Sequence, residues 1–249
     1  MIIDTHTHLM RKFGFLQGAS VDKHVEFLHQ GGADRCVIFT IDGFLHDTRA
    51  HNDEVAEAAC QYPDVLIPFC TVDPWDPGAF GELERCIQEL GMKGLKFHPW
   101  LQSFPLVDDM LLPIIERAVH SGLPVISHDG TPPYCTTFEL CYLAQCFPQA
   151  KIILGHTGLK DYPREAIAAA KRFDNVYFCF CGTTLQCMQA IVKVAGPERC
   201  MFGSDLPFAG PEFLAWEIYR VKKLGLSRDD EEGVLGGNIA RMLGLDTAA

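Results

Sequence analysis

The feature that most restricts the fold of this chain is a regular alternation of two kinds of segment along its whole length. Short runs rich in Val, Ile, Phe and Leu, bounded by Gly, Pro or Asp, have strand character. They are Ile2–His6, Cys36–Ile41, Val65–Val72, Gly94–His98, Pro124–His128, Lys151–His156, Val176–Cys181 and Cys200–Asp205. Between them lie amphipathic stretches of helix length: Val21–Gln30, Asp53–Gln61, Gly78–Leu90, Asp108–His120, Thr136–Phe147, Arg164–Arg172, Leu185–Val194 and Pro211–Leu224. A last helical piece, Glu231–Leu243, follows. Leu111, Ile114, Ile115 and Ala118 recur at three and four, the spacing of one buried helix face. Gly122-Leu123-Pro124 reads as a helix stop followed by a strand start. Eight strand–helix units in 249 residues predict an α/β protein, a single (β/α)8 TIM barrel over residues 1–249. The competing architecture is an open doubly wound sheet. No Gly-x-Gly-x-x-Gly follows the first strand, which weakens its dinucleotide-binding form.

A net charge of −11 argues against a long basic groove for nucleic acid. It leaves room for a small anionic substrate, because a bound metal dominates the local field. No apolar run approaches the ~20 residues of a membrane span, and Met1-Ile2-Ile3-Asp4 lacks the pattern of a secretory signal. The eleven cysteines are odd in number and lie in apolar stretches, so buried thiols in a reducing cytoplasm are expected rather than a disulfide framework. Cys179 and Cys181 form a Cys-x-Cys, a pattern open to a soft metal. Their strand-like setting favours packing. A homo-oligomer is compatible with the composition.

The polar residues that end the strands carry the chemistry. Asp4-Thr5-His6-Thr7-His8 closes the first strand, and side chains two apart on a strand face the same way. His6 and His8 should therefore converge on the barrel mouth as two imidazole donors. A His-x-His alone is equally a pair of loop histidines. Its weight comes from His98, His128, His156 and Asp205, each at the C-terminal end of another strand, where barrel enzymes keep their active sites. Packing alone does not explain several such residues at equivalent ends, since burying them unpaired costs stability. His24, His29 and His120 lie on helices and read as surface or packing residues. His46 and His51 follow the second strand and read as solvated. Arg11, Lys12, Phe13 and Phe15, Trp75, and Trp100 and Phe104 follow the first, third and fourth strands. They are candidates to cover a small substrate, each as readily explained by packing.

The chain resembles the amidohydrolase superfamily, in particular the branch with aminocarboxymuconate-semialdehyde decarboxylase, related aromatic-acid decarboxylases and lactone hydrolases. The matching residues are Asp-Thr-His-Thr-His at 4–8, Gly-Leu-Lys-Phe-His-Pro at 94–99, His128, Gly-His-Thr-Gly at 155–158, Gly-Ser-Asp-Leu-Pro at 203–207, and the ending Gly236-Gly237-Asn238. The resemblance implies that His6, His8, His128 and Asp205 ligate one divalent metal, most often zinc. It makes His156 and Asp205 the catalytic acid/base groups beside a water whose pKa the metal lowers toward ~7. Lys96 lies two residues before His98, so both should face inward. Both are assigned to substrate binding, with Lys96 an amine for a substrate carboxylate. The alternative is a carboxylated Lys96 bridging two metals, as in other superfamily branches, with His156 as a ligand of the second.

The function expected is a metal-dependent hydrolase of a small amide, ester or lactone. A non-oxidative decarboxylase of an unsaturated or aromatic acid is the alternative, because fold and metal site do not fix the reaction. A TatD-like nuclease fits the charge poorly. A catalytically silent metal-binding barrel fits poorly with the full set of strand-end ligands.

Overall fold

The computed structural model describes residues 1–14 and 16–245; Phe15, one of the loop aromatics named above, lies outside the described residues. Besides a short antiparallel pair, Lys12–Phe13 with Leu16–Gln17, the described residues form eight barrel strands in order: β1 (Ile3–Leu9), β2 (Arg35–Thr40), β3 (Leu66–Pro68), β4 (Leu95–Phe97), β5 (Val125–Ser127), β6 (Ile152–Leu154), β7 (Val176–Phe180) and β8 (Cys200–Phe202). Sequence neighbours pair in parallel from β1 to β3 and from β4 to β8. Two single bridges complete the circle. Cys70 pairs with Leu95 beyond β3, and Thr7 of β1 pairs with Leu206 beyond β8. The result is the expected (β/α)8 barrel, each crossover carrying helix.

Alternate strand residues point to opposite faces. One set, including Ile38, Leu66, Leu95, Ile152 and Phe178, packs outward with helix residues such as Leu28, Val55 and Leu143. The other, including Val37, Phe39, Ile67, Ile126, Ile153 and Met201, fills the barrel. This plug leaves the ends of the barrel for reactive side chains.

The regular elements differ from the expected ones in instructive places. β3 is three residues long instead of the run Val65–Val72. Past Pro68 the chain bonds to both neighbours in turn, Phe69 N–H to Ile38 O and Cys70 N–H to Gly94 O, so no continuous ladder forms. The second helix begins at Thr48 rather than Asp53, because Asp47 caps it by accepting the Ala50 N–H. His51 therefore sits inside the helix, buried, with Nδ1 2.9 Å from Glu54 Oε2, which corrects its assignment to a solvated loop. His46, His29 and His120 are exposed, and His24 is buried beside Cys36. The closing helix is broken by a π-turn at Gly233–Gly237. Gly236 lies so close to β1 that a Cβ would come within 2.8 Å of Met1 O and Ile3 N. Asn238 then donates from Nδ2 to Pro197 O (2.8 Å) and Cys200 O (2.7 Å), tying the chain end to β8. None of the described helices is long and apolar enough to cross a membrane.

Candidate metal centre

The seam between β1 and β8 assembles the site. His8 N–H donates to Leu206 O at 2.7 Å, and Asp205 N–H donates to His6 O at 2.9 Å. These bonds bring residues from the two ends of the chain side by side. Asp205 Oδ1 lies 3.0 Å from His8 Nε2 and 3.5 Å from His6 Nε2. Asp205 adopts φ 64°, a left-handed conformation uncommon for non-glycine residues. The Nδ1–H of His6 donates to Gly155 O at 2.9 Å, so its lone pair is on Nε2, facing the carboxylate.

The β5–β7 side supplies the rest. The His156 ring lies 4.6 Å from that of His6 and 4.4 Å from that of His128. Its Nδ1–H donates to Cys181 O at 3.2 Å, which leaves a lone pair on Nε2. His128 stacks on His98 with ring centroids 4.1 Å apart and an 11° interplanar angle. His128 Nε2 is 2.8 Å from Thr131 Oγ1. His98 accepts the Leu101 N–H at Nδ1. Two groups of three donors have their ligand atoms within 4.8 Å of one another among the described residues: His6, His8 and Asp205, and His6, His156 and Cys181. His128 stands beside these groups without entering either.

Lys96 is fully buried. Its Nζ lies 3.3 Å from His6 Nε2 and 4.6 Å from the centroid of the Phe39 ring. Burial pulls its amine down to about 8, against the attraction of Asp205. Burial likewise holds His6, His98 and His128 well below the ordinary histidine range, and brings His156 to about 4. All four are neutral at pH 7, the ligand and proton-acceptor form. Burial alone would raise Asp205. The His8 hydrogen bond and the nearby His156 and Lys96 outweigh it and keep the carboxylate well below its usual range.

Several contributors are given no role by the sequence reading. Phe39, inside β2, packs edge-on against His6 (5.1 Å, 69°) and His8 (4.7 Å, 86°). Asp129 accepts the N–H groups of His156 (2.7 Å) and Gly158 (2.6 Å) and the Thr137 hydroxyl, fixing the loop that bears His156. Asp4, quoted in the motif without a role, accepts the N–H of His6 (3.0 Å) and of Ser204 (3.1 Å) and the Ser204 hydroxyl. An acidic residue inside a buried strand end is the sequence signal for both. Of the loop aromatics, Phe104 is buried against Phe97 and serves packing, whereas Trp75 and Trp100 are exposed. Phe13 packs edge-on against Phe208, which in turn packs edge-on against His8. Arg11 is exposed and pairs with Glu54, and Lys12 is exposed.

Known proteins resemble the chain in sequence and in fold. The chain is 23% identical over 238 residues to the 2-amino-3-carboxymuconate-6-semialdehyde decarboxylase of Dictyostelium discoideum, covering 78% of this chain and 66% of that protein. It is 22% identical over 241 residues to the 2-keto-4-carboxy-3-hexenedioate hydratase of Sphingobium sp., covering 78% of this chain and 70% of that protein. The chain thus spans about two thirds of the length of these curated relatives. The fold matches that of a dihydroxybenzoic acid decarboxylase from Polaromonas sp. JS666, solved with manganese and the inhibitor 2-nitroresorcinol. That match has a TM-score of 0.78 and 18% identity, and it covers 99% of this chain and 98% of that one. The Amidohydrolase family (Amidohydro_2) matches residues 3–245, so the chain belongs to this family of metal-dependent barrel enzymes.

Proposed function

We propose that this protein removes carbon dioxide from a small unsaturated or aromatic carboxylate at a divalent-metal centre. The observation that carries this reading is Lys96, a fully buried amine beside the donor cluster with no carboxylate within salt-bridge distance among the described residues. A buried cation without a partner is costly. A substrate carboxylate would supply the partner, and an uncarboxylated amine with three donors suits it.

The residues fit a metal. Two imidazoles that burial keeps neutral and a carboxylate that stays ionised offer donors within 4.8 Å, the nitrogen and oxygen set that zinc accepts. His6, His8 and Asp205 would hold one zinc ion per chain, with His8 ligating through Nε2 and its single ring proton moved to Nδ1, which has no hydrogen-bond partner among the described residues. His128 would join as a further ligand by giving up its Thr131 contact. An ion held there supplies a Lewis acid beside the substrate's oxygens.

The chain's own groups then have distinct tasks. Lys96 and His98 hold the anionic substrate. His156 presents its Nε2 lone pair to the site, takes up a proton from solvent and is stabilised in that form by Asp205. The bond to the departing carboxylate breaks with its electron pair left on the substrate carbon, carbon dioxide leaves, and the His156 proton adds to that carbon. The decarboxylases named above support this choice.

Hydrolysis of an amide, ester or lactone is the second reading. It is favoured by the His156 lone pair, which suits a base acting on water. It ranks second because a carboxylate held as far down as Asp205 is a weak general base. Zinc- and manganese-loaded protein incubated with hydroxybenzoates, muconate-type acids and lactones separates the two. Metal-dependent carbon dioxide release is expected. Acid release from lactones without carbon dioxide would put hydrolysis first, and no metal-dependent turnover of either class would overturn both readings.

A further inference from the structure

We propose that Cys181 is a ligand of the metal centre, and that its thiolate makes the centre prefer zinc over manganese. The inference rests on the reading of His6, His8 and Asp205 as a metal centre. The two donor triads share His6. Its Nδ1–H is committed to Gly155 O, so one lone pair remains, and one lone pair binds one ion. The triads therefore describe a single centre with donors on two sides, and the second side includes the Cys181 sulfur, just past the end of β7. His128 belongs to neither triad and would reach the ion only by giving up the Thr131 hydroxyl, whereas the Cys181 sulfur needs no contact broken.

The local backbone is built for this approach. A Cβ on Gly203 would lie 2.9 Å from His6 Cβ, 3.3 Å from Cys181 Cβ and 2.6 Å from Cys179 Sγ, so glycine at 203 leaves the room in which His6 and Cys181 stand close together. Some buried thiols elsewhere are spent on hydrogen bonds, Cys70 to Gly94 O and Cys200 to Gly196 O, whereas those of Cys141, Cys179 and Cys187 pack without one among the described residues. What sets the Cys181 sulfur apart is that it lies within 4.8 Å of a ligand nitrogen of both His6 and His156. Cys179, two residues earlier on the same face, belongs to neither triad and serves as an internal control.

Coordination breaks the Cys181 S–H bond, forms a sulfur–metal bond and releases one proton to solvent. A thiolate selects zinc, whereas manganese prefers oxygen donors. The centre would then differ in metal preference from the manganese-bearing Polaromonas structure.

Cobalt(II) added to metal-stripped full-length protein tests this. A near-ultraviolet sulfur-to-cobalt charge-transfer band is expected in the wild type and in Cys179→Ser. It should be absent in Cys181→Ser and Cys181→Ala, with folding followed by circular dichroism. The zinc-over-manganese preference should fall at least ~10-fold in Cys181→Ser, the scale seen when groups supporting a metal are lost. Cobalt bound with ligand-field bands but no charge-transfer band in the wild type would overturn the thiolate ligand and leave the metal centre standing. No cobalt bound by the wild type would overturn the centre itself, and the thiolate with it. The wild-type spectrum decides even if the Cys181 variants fail to fold.

Discussion

Phe39 links the packing of the barrel to the geometry of the site, and its truncation gives the sharpest test of that link. The side chain is fully buried, touches the rings of His6 and His8 edge-on, and lies under the Lys96 amine. Phe39→Ala should cost about 3–5 kcal/mol from lost transfer energy and the cavity left behind. For a chain of this size that corresponds to a fall in Tm of roughly 6–20 °C. Phe39→Leu keeps much of the volume and loses the aromatic contacts, each worth about 0.5–1.5 kcal/mol. The effect on the metal separates packing from positioning. Both imidazoles lose the edge that holds their ring planes, so zinc affinity should drop ~10- to 100-fold in both variants, as when supporting groups around a ligand are removed. Urea denaturation of metal-stripped protein reads the first quantity and competition with a chelating dye the second. A Phe39→Ala variant within about 1 kcal/mol of wild type, or zinc affinity unchanged in both variants, would refute the argument that this ring supports the site.

Three further outcomes are expected. His156→Asn should retain metal by elemental analysis while losing at least ~10²-fold in turnover; loss of metal together with activity would make His156 a ligand instead. Lys96→Ala should keep one metal per chain and raise KM for a carboxylate substrate, whereas a wild type with two metals that loses one in this variant would show a carboxylated lysine bridging them. His24 is buried and neutral, its value lowered by burial to about 4 from an ordinary 6.5. The unfolded chain therefore binds more protons between these values, so the stability His24 contributes is intact above pH 6.5 and lost as pH falls toward 4, by about 3 kcal/mol. His24→Leu should flatten the acid limb of the stability curve of metal-stripped protein, and an acid limb identical to wild type would count against a buried neutral His24.

The alternation of segments was enough to read the barrel, because hydrophobic period is a local property and eight βα units admit few closed arrangements. The same local reading placed His6, His8, Lys96, His98, His128, His156 and Asp205 at strand ends, since a polar residue closing an apolar strand is visible without knowing its neighbours. Which of these residues meet was decided by closure. Asp4 and Ser204 are 200 residues apart, yet their hydrogen bond and the neighbouring seam put Asp205 within 3.0 Å of His8. The ring orientation that turns His128 Nε2 to Thr131 and the approach of Cys181 to His6 depend on the rotation of β5 and β7 about the barrel axis, and no spacing in the chain encodes that rotation. Phe39 looked like any core residue of a strand, and only packing from three strands made it a support for two imidazoles and an amine. His51 was misread because the sequence shows a polar stretch where Asp47 nucleates a helix. Local pattern thus settles which face of each element is buried, while contact between distant elements settles which buried polar groups become one another's partners.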